Sequence, residues 1–83
     1  MSPLLTKMNK LDFVFFGSSK FSEYVLKVLQ DKGYEPKLCV TSARGDLPEI
    51  PPADLYIVAS FGKILKEELI NRPKFKTLNV HPS

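Results

Sequence analysis

The sequence predicts an open α/β protein with a parallel sheet of about four strands and one helix on each face. Four short apolar runs are nearly continuous rather than alternating, which is typical of parallel strands buried on both faces. Two segments with helical periodicity separate some of these runs, and three runs end at glycine or small polar residues. The 83 residues are enough for one small domain.

The first half of the chain predicts a β-α-β unit over residues 11–41. Residues 11–16, LDFVFF, form the first apolar run, and residues 37–41, KLCVT, form the second. Between them, FSEYVLKVLQDKG places apolar side chains on one helical stripe bordered by Tyr24: Phe21, Val25, Val28 and Leu29. Ser19 or Ser22 is suited to cap the start of this helix, and Gly33 to end it.

The second half predicts a loop, a strand, a short helix and a last strand. Residues 42–54, SARGDLPEIPPAD, have no period and hold three prolines, so they are interpreted as a loop. LYIVA at 55–59 and TLNV at 77–80 are the third and fourth strands. KILKEELIN, ended by Pro73, is interpreted as a helix with three inward side chains, Ile64, Leu65 and Leu69, and two outward ones, Glu67 and Glu68.

The length of the 42–54 loop favours one strand order. Thirteen extended residues just pass over an intervening strand, so the third strand is placed beside the first, on the side away from the second. The order becomes 2-1-3-4, a Rossmann-like arrangement with its two helices on opposite faces. Ligands of such sheets lie where the order reverses, at the carboxyl ends of the strands. Three segments are predicted to meet at that edge, residues 17–19, 60–62 and 79–81.

Composition excludes several classes of protein. The net charge of +3 comes from scattered basic residues, which permits a nucleic-acid partner without indicating one. The single cysteine, Cys39, lies in an apolar run and is interpreted as a core residue in a cytoplasmic protein. No apolar run has the length of a signal peptide core or a membrane span. Residues 1–9 are expected to be a flexible leader, and residues 10–83 a partial domain.

Asn79 and His81 are the side chains best suited to chemistry. Val80 lies between them, so both point to the same face of a strand. A histidine can act as acid or base near neutral pH, and an asparagine amide can donate to a developing oxyanion, as in acyl transfer. The alternative is a turn-forming asparagine beside a solvated histidine. The residues contain no set of side chains spaced to bind a metal.

The glycines also allow two interpretations. Residues 17–19 precede a predicted helix, so their backbone N–H groups can face an anion, or they can simply form a tight turn. Gly17 stands alone rather than in a Gly-x-Gly-x-x-Gly motif, which favours the turn. Gly62 can likewise serve only the turn into the second helix.

Three blocks in the same order resemble methionyl-tRNA formyltransferases: FVFFGSSKFSEYVLKVL, PADLYIVASFGKIL and TLNVHPS. The resemblance implies transfer of a formyl group from 10-formyltetrahydrofolate to the amino group of methionine on initiator tRNA. It implies that Asn79 and His81 are catalytic, with the asparagine holding the formyl oxygen. It also implies that the folate pocket is lined by a contiguous stretch, Phe61, Gly62, Lys63, Ile64 and Leu65.

The chain departs from the family pattern in several places. The family continues with a Leu-Leu-Pro segment, a catalytic aspartate and a tRNA-binding domain, and its counterpart of the 42–54 loop holds another strand and helix. A truncated amino-terminal part is therefore expected, inactive and aggregation-prone by itself. Two other functions stay open: another folate-dependent formyltransferase, acting on a glycinamide ribonucleotide or an amino sugar, and a non-catalytic remnant.

Overall fold

The computed structural model describes residues 11–80, which form four strands and two helices. In chain order these are β1 (Phe13–Phe16), α1 (Lys20–Asp31), β2 (Leu38–Val40), β3 (Leu55–Ala59), α2 (Glu67–Ile70) and β4 (Thr77–Val80). Neither helix has the length and apolarity of a membrane span within this part of the chain.

The strands form one parallel sheet in the order β2-β1-β3-β4, which confirms the predicted topology. β3 and β4 have the predicted bounds, whereas β1 and β2 are shorter than their apolar runs. β1 pairs with β2 on one side and β3 on the other, and Phe15 is the register partner of both Cys39 and Ile57. The order reverses between β1 and β3, as predicted.

All four side chains of β1 are buried, and they alternate between two apolar clusters. Phe13 and Phe15 belong to one cluster, and Val14 and Phe16 belong to the other. A strand buried on both faces has no position for a polar side chain, which explains the continuous FVFF run.

α1 covers the face that holds Phe13 and Phe15. Its side chains packed there are Phe21, Val25, Leu26 and Leu29, so Leu26 rather than Val28 completes the predicted stripe. Tyr24 is 68% exposed, at the border of the stripe. Cys39 packs on the same cluster and burial raises the pKa of its thiol, which agrees with the predicted core role.

The start of α1 has a reciprocal cap. The N–H of Ser22 donates to Oγ of Ser19 at 3.2 Å, and the N–H of Ser19 donates to Oγ of Ser22 at 3.0 Å. Both candidate serines therefore take part, with Ser19 as the cap residue. Gly33 follows the helix with a φ of 91°, a backbone conformation that favours glycine, as expected of a helix-ending residue.

The opposite face is covered by the 42–54 loop and the segment around α2. Leu47, Ile50 and Ala53 of the loop pack there together with Leu65 and Leu69. The predicted helix over 63–71 is wrong in extent, because α2 has only four residues and Ile64 is 95% exposed rather than inward. A nine-residue helix is marginal by itself, so packing of the chain against the sheet decides its conformation.

Gly17 occupies the most crowded position of the turn after β1. A Cβ built there would lie 2.2 Å from Cβ of Ser22 and 3.0 Å from the carbonyl oxygen of Ala59. At Gly62 the nearest atoms would be 3.4 Å and 3.5 Å away, an ordinary contact distance. Gly17 is therefore required for close packing of α1 against the sheet.

We expect Gly17→Ala to lower the free energy of unfolding by about 1–3 kcal/mol, the usual cost of overpacking. Gly62→Ala is the matched control and should change it by less than about 0.5 kcal/mol. Urea unfolding followed by circular dichroism measures both. Equal effects at the two glycines would contradict the assignment of a steric role to Gly17.

Tyr56 is fully buried beside Phe16, and its hydroxyl has no hydrogen-bond partner among residues 11–80. A buried polar group without a partner loses its hydration and gains nothing in return. We therefore expect Tyr56→Phe to raise the free energy of unfolding by about 1 kcal/mol. A decrease in the same urea experiment would show that the hydroxyl is hydrogen-bonded in solution.

Candidate functional site

The carboxyl ends of the central strands meet at one edge of the sheet. The turn at residues 17–19 follows β1, the segment at residues 60–62 follows β3, and Asn79 lies near the end of β4. The N–H of Gly17 donates to the carbonyl of Val40 at 2.9 Å, and the N–H of Ser18 donates to the carbonyl of Ser60 at 3.3 Å. The predicted assembly of distant segments at this edge is therefore confirmed for the described residues.

The hydrogen bonds at residues 17–19 favour the tight turn over an anion site. The N–H groups of Gly17 and Ser18 donate to neighbouring strands, and that of Ser19 donates to the Ser22 hydroxyl. The N–H of Ser22 is occupied by Ser19 in the cap. These donors are thus already used within the fold, and an anion would have to displace those bonds.

A pocket of about 440 Å³ opens at this edge, on the face away from α1. Its lining comes from the end of β3, the segment after it, the end of α2 and β4. It comprises Val58, Ser60, Phe61, Lys63, Ile64, Leu65, Ile70, Thr77 and Asn79. The pocket thus brings Asn79 together with four of the five residues predicted to line a ligand site.

Those five residues occupy different environments. Phe61 and Leu65 pack on the core cluster, and the Phe61 ring meets Phe16 edge-to-face at 5.7 Å between centroids. Nζ of Lys63 donates to the carbonyl of Gly45 at 2.6 Å. Ile64 is exposed at the mouth, and Gly62 lies outside the lining, with its N–H donating to Oγ of Ser18 at 2.9 Å.

Asn79 presents a solvent-exposed amide to the pocket. It is the register partner of Val58, and the next residue, Val80, packs on the opposite face with the α1 cluster. The predicted separation of Asn79 and Val80 to opposite faces is confirmed. His81, the second predicted catalytic residue, lies outside the described residues.

Four lining residues were not named as candidate site residues, although one of them, Ser60, belongs to the 60–62 segment predicted at this edge: Val58, Ser60, Ile70 and Thr77. Alternation along the strands indicates three of them, because Val58 and Ser60 are two residues apart, as are Thr77 and Asn79. Ser60 has a φ of 55°, a left-handed conformation that is uncommon outside glycine. No sequence pattern predicts this conformation for serine.

The charged lining of the pocket consists of Lys63 alone among the described residues, and the remaining polar groups are hydroxyls and one amide. Residues 11–80 hold no group of three histidine, cysteine or acidic side chains placed to bind a metal ion. The pocket therefore offers an apolar wall with a few neutral donors and acceptors, which suits a planar organic ligand with polar edges.

These features define an open α/β sheet protein with a pocket at the carboxyl ends of β3 and β4, one strand away from the reversal of strand order between β1 and β3. The family model for formyl transferase matches residues 9–83, so the chain belongs to that family. The match covers the sheet, both helices and the residues around the pocket.

Individual relatives are named methionyl-tRNA formyltransferase. The chain is 60% identical to the one from Sulfurihydrogenibium sp. over 30 residues, which are 36% of this chain and 10% of that protein. The enzyme of that name from Bacillus subtilis is 28% identical over 84% of this chain and 33% of its own length. The one from Staphylococcus epidermidis is 38% identical over 60% of this chain and 16% of its own length. No solved structure gives a significant match.

The chain spans about a third of the length of the Bacillus subtilis relative. That alignment covers 106 positions, whereas 84% of an 83-residue chain is about 70 residues. About 36 aligned positions therefore have no counterpart here. That the 42–54 loop is the shortened segment stays a prediction.

The contrast between Phe61 and Ile64 gives a test of this pocket. Phe61→Ala removes a partly buried ring, so we expect it to lower the free energy of unfolding by about 2 kcal/mol, below the range for fully buried phenylalanines. Ile64→Ala, at an exposed position, should change it by less than about 0.5 kcal/mol. Urea titrations of both variants measure these changes. A large loss of unfolding free energy in Ile64→Ala would show that this side chain is buried in solution.

Proposed function

We propose that this chain is the folate-binding, catalytic part of a methionyl-tRNA formyltransferase, with 10-formyltetrahydrofolate as formyl donor and initiator methionyl-tRNA as acceptor. One observation carries this proposal: the pocket at the edge of the sheet collects Asn79 with Phe61, Lys63, Ile64 and Leu65. Family membership and the names of the relatives support it. Those names favour the tRNA enzyme over a formyltransferase for a ribonucleotide or an amino sugar.

The pocket has the chemistry that a folate needs. The fixed apolar wall made by Val58, Phe61 and Leu65 offers a surface for a flat ring system. Ser60, Thr77 and Asn79 add neutral polar groups at its border. The Lys63 ammonium stands at the same pocket, where it can pair with a carboxylate if it leaves the Gly45 carbonyl.

Asn79 is assigned to the reacting carbonyl. When the methionine nitrogen attacks the formyl carbon, the carbonyl oxygen gains negative charge, and the bond from that carbon to the folate nitrogen breaks. The side-chain NH₂ of Asn79 is a neutral donor that can hold this oxygen without a change of protonation. His81 is proposed to stabilise the same charge and to move the proton released by the amine.

The exposed position of Asn79 also bears on activity. An oxyanion donor is most effective where water is excluded, and here the amide faces solvent on the last strand of the sheet. The relatives named methionyl-tRNA formyltransferase are much longer than the present chain. We therefore propose that the 83-residue chain binds folate but transfers no formyl group above background.

Titration of the ¹⁵N-labelled chain with 10-formyltetrahydrofolate tests this function. We expect shifts of backbone amides in two segments, residues 60–65 and residues 77–80, because these segments contain most of the lining residues of the pocket. Asn79→Ala should remove the signal of the Asn79 side-chain NH₂ and change the folate dissociation constant by no more than a few-fold. The reason is that the contact of this NH₂ with the formyl oxygen strengthens only as charge develops in the reaction.

Amides around Tyr24 on the exposed side of α1 serve as the internal reference, because they lie away from the pocket. Shifts spread evenly over the chain, or none at millimolar folate, would reject the proposed function. Formyl transfer to initiator methionyl-tRNA at a rate above background would reject the proposed inactivity of the isolated chain and leave the binding assignment intact.

A further inference from the structure

We infer that Ser18 is a positioning residue for the folate pocket, acting through Gly62 and Ser60; this inference rests on the proposed function. Ser18 lies in the turn after β1, and its partners lie in the segment after β3, more than 40 residues away in sequence. The two hydrogen bonds that join them are called the Ser18 clip.

The clip uses both a donor and an acceptor of Ser18. Its backbone N–H donates to the carbonyl of Ser60 at 3.3 Å, and its Oγ accepts from the N–H of Gly62 at 2.9 Å. A serine can make this pair of contacts, whereas an alanine at the same place keeps the first and loses the second. The side chain of Ser18 therefore adds something specific to a turn that Gly17 and Ser19 already form.

The segment that the clip holds has little other backbone support. Residues 60–66 are neither helix nor strand. In the described part of the chain, the backbone of residues 60–65 bonds to distant residues through Ser18. The Lys63 side chain adds one further bond, from Nζ to the carbonyl of Gly45. Phe61 and Leu65 anchor the segment by packing, but packing alone does not fix the direction of the peptide groups between them.

Ser60 makes this support necessary. Its φ of 55° is a conformation that serine adopts at an energetic cost, and such conformations persist only when neighbouring contacts hold them. The clip bonds the carbonyl of Ser60 and the N–H of Gly62, which are the residues immediately before and after Phe61. It therefore holds the backbone on both sides of Phe61. Since Phe61 forms part of the pocket wall, Ser18 sets the position of that wall without lining the pocket itself.

Adjacent serines provide a matched comparison. Ser18 bonds to the pocket segment, whereas Ser19 caps α1 and, within residues 11–80, makes its side-chain hydrogen bond to Ser22 rather than to that segment. Ser18→Ala should thus change the pocket, and Ser19→Ala should change the stability of the helix. Ser18→Thr keeps the hydroxyl at an exposed position and should behave like the original chain.

Amide hydrogen exchange of Gly62 and folate titration together test the inference. A net hydrogen bond of ordinary strength corresponds to about a 2- to 10-fold change in an equilibrium. We expect Ser18→Ala to accelerate exchange at Gly62 and to raise the Kd for 10-formyltetrahydrofolate, each by about that factor, with a melting temperature lowered by at most several degrees, as the loss of one hydrogen bond implies. Ser19→Ala should lower the melting temperature and leave both other values unchanged, measured well below the transition.

The outcomes separate the two hypotheses. Faster exchange at Gly62 with an unchanged Kd, or no change in exchange, would overturn the positioning role of Ser18 while leaving the proposed function in place. Absence of folate binding by the unaltered chain would reject the proposed function, and with it the role of Ser18 in folate binding. Failure of Ser18→Thr to restore Gly62 exchange would show that the hydroxyl is not the group responsible.

Discussion

Burial of β1 on both faces is the constraint on which the rest of the structure depends. Each of its four residues is covered, two by the α1 side and two by the side of the 42–54 loop. A strand in this position needs a hydrogen-bonded neighbour at each edge and a covering layer on each face. β2 and β3 supply the neighbours, and the order of the sheet reverses between β1 and β3. The turn after β1 and the segment after β3 are then adjacent, which is why a clip between Ser18 and Gly62 can form at all.

The 42–54 loop covers one face of the sheet with very little secondary structure. It buries Ile50 and three of its backbone carbonyls accept from basic side chains: Gly45 from Lys63 at 2.6 Å, Ile50 from Arg72 at 3.4 Å and Pro52 from Lys37 at 2.9 Å. Three prolines lower the entropy lost when the loop is ordered. Part of the positive charge of the chain thus has a structural use, because these three side chains tie the loop to the rest of the fold.

The sequence was informative where burial alone decides the structure and uninformative where several weak contacts compete. The four strands followed from continuous apolar runs, which reflect burial on both faces of a sheet. Their order followed from the length of one loop, which limits the strands that the loop can connect. The extent of α2 did not follow, because Ile64 fits a helical stripe as a pattern, yet the chain at this point is held by Phe61, Leu65 and the Lys63–Gly45 bond. The left-handed conformation of Ser60 and its bond to Ser18 depend on residues far apart in sequence, so no local pattern contains them.

The pocket combines one wall that is fixed with one that is open. On the β3 side, Phe61 and Leu65 are packed on a core cluster and the backbone is clipped to the turn after β1. On the β4 side, Asn79 is exposed on a strand at the edge of the sheet. A fixed apolar wall selects a ligand by shape, whereas an exposed amide gains strength only when its surroundings lose water. The two properties expected of a formyl-transfer site, recognition of the donor and stabilisation of developing charge, are therefore separable here. Under the proposed function, recognition of the donor is assigned to contacts that this chain already makes, and stabilisation of developing charge requires that the edge of β4 be covered.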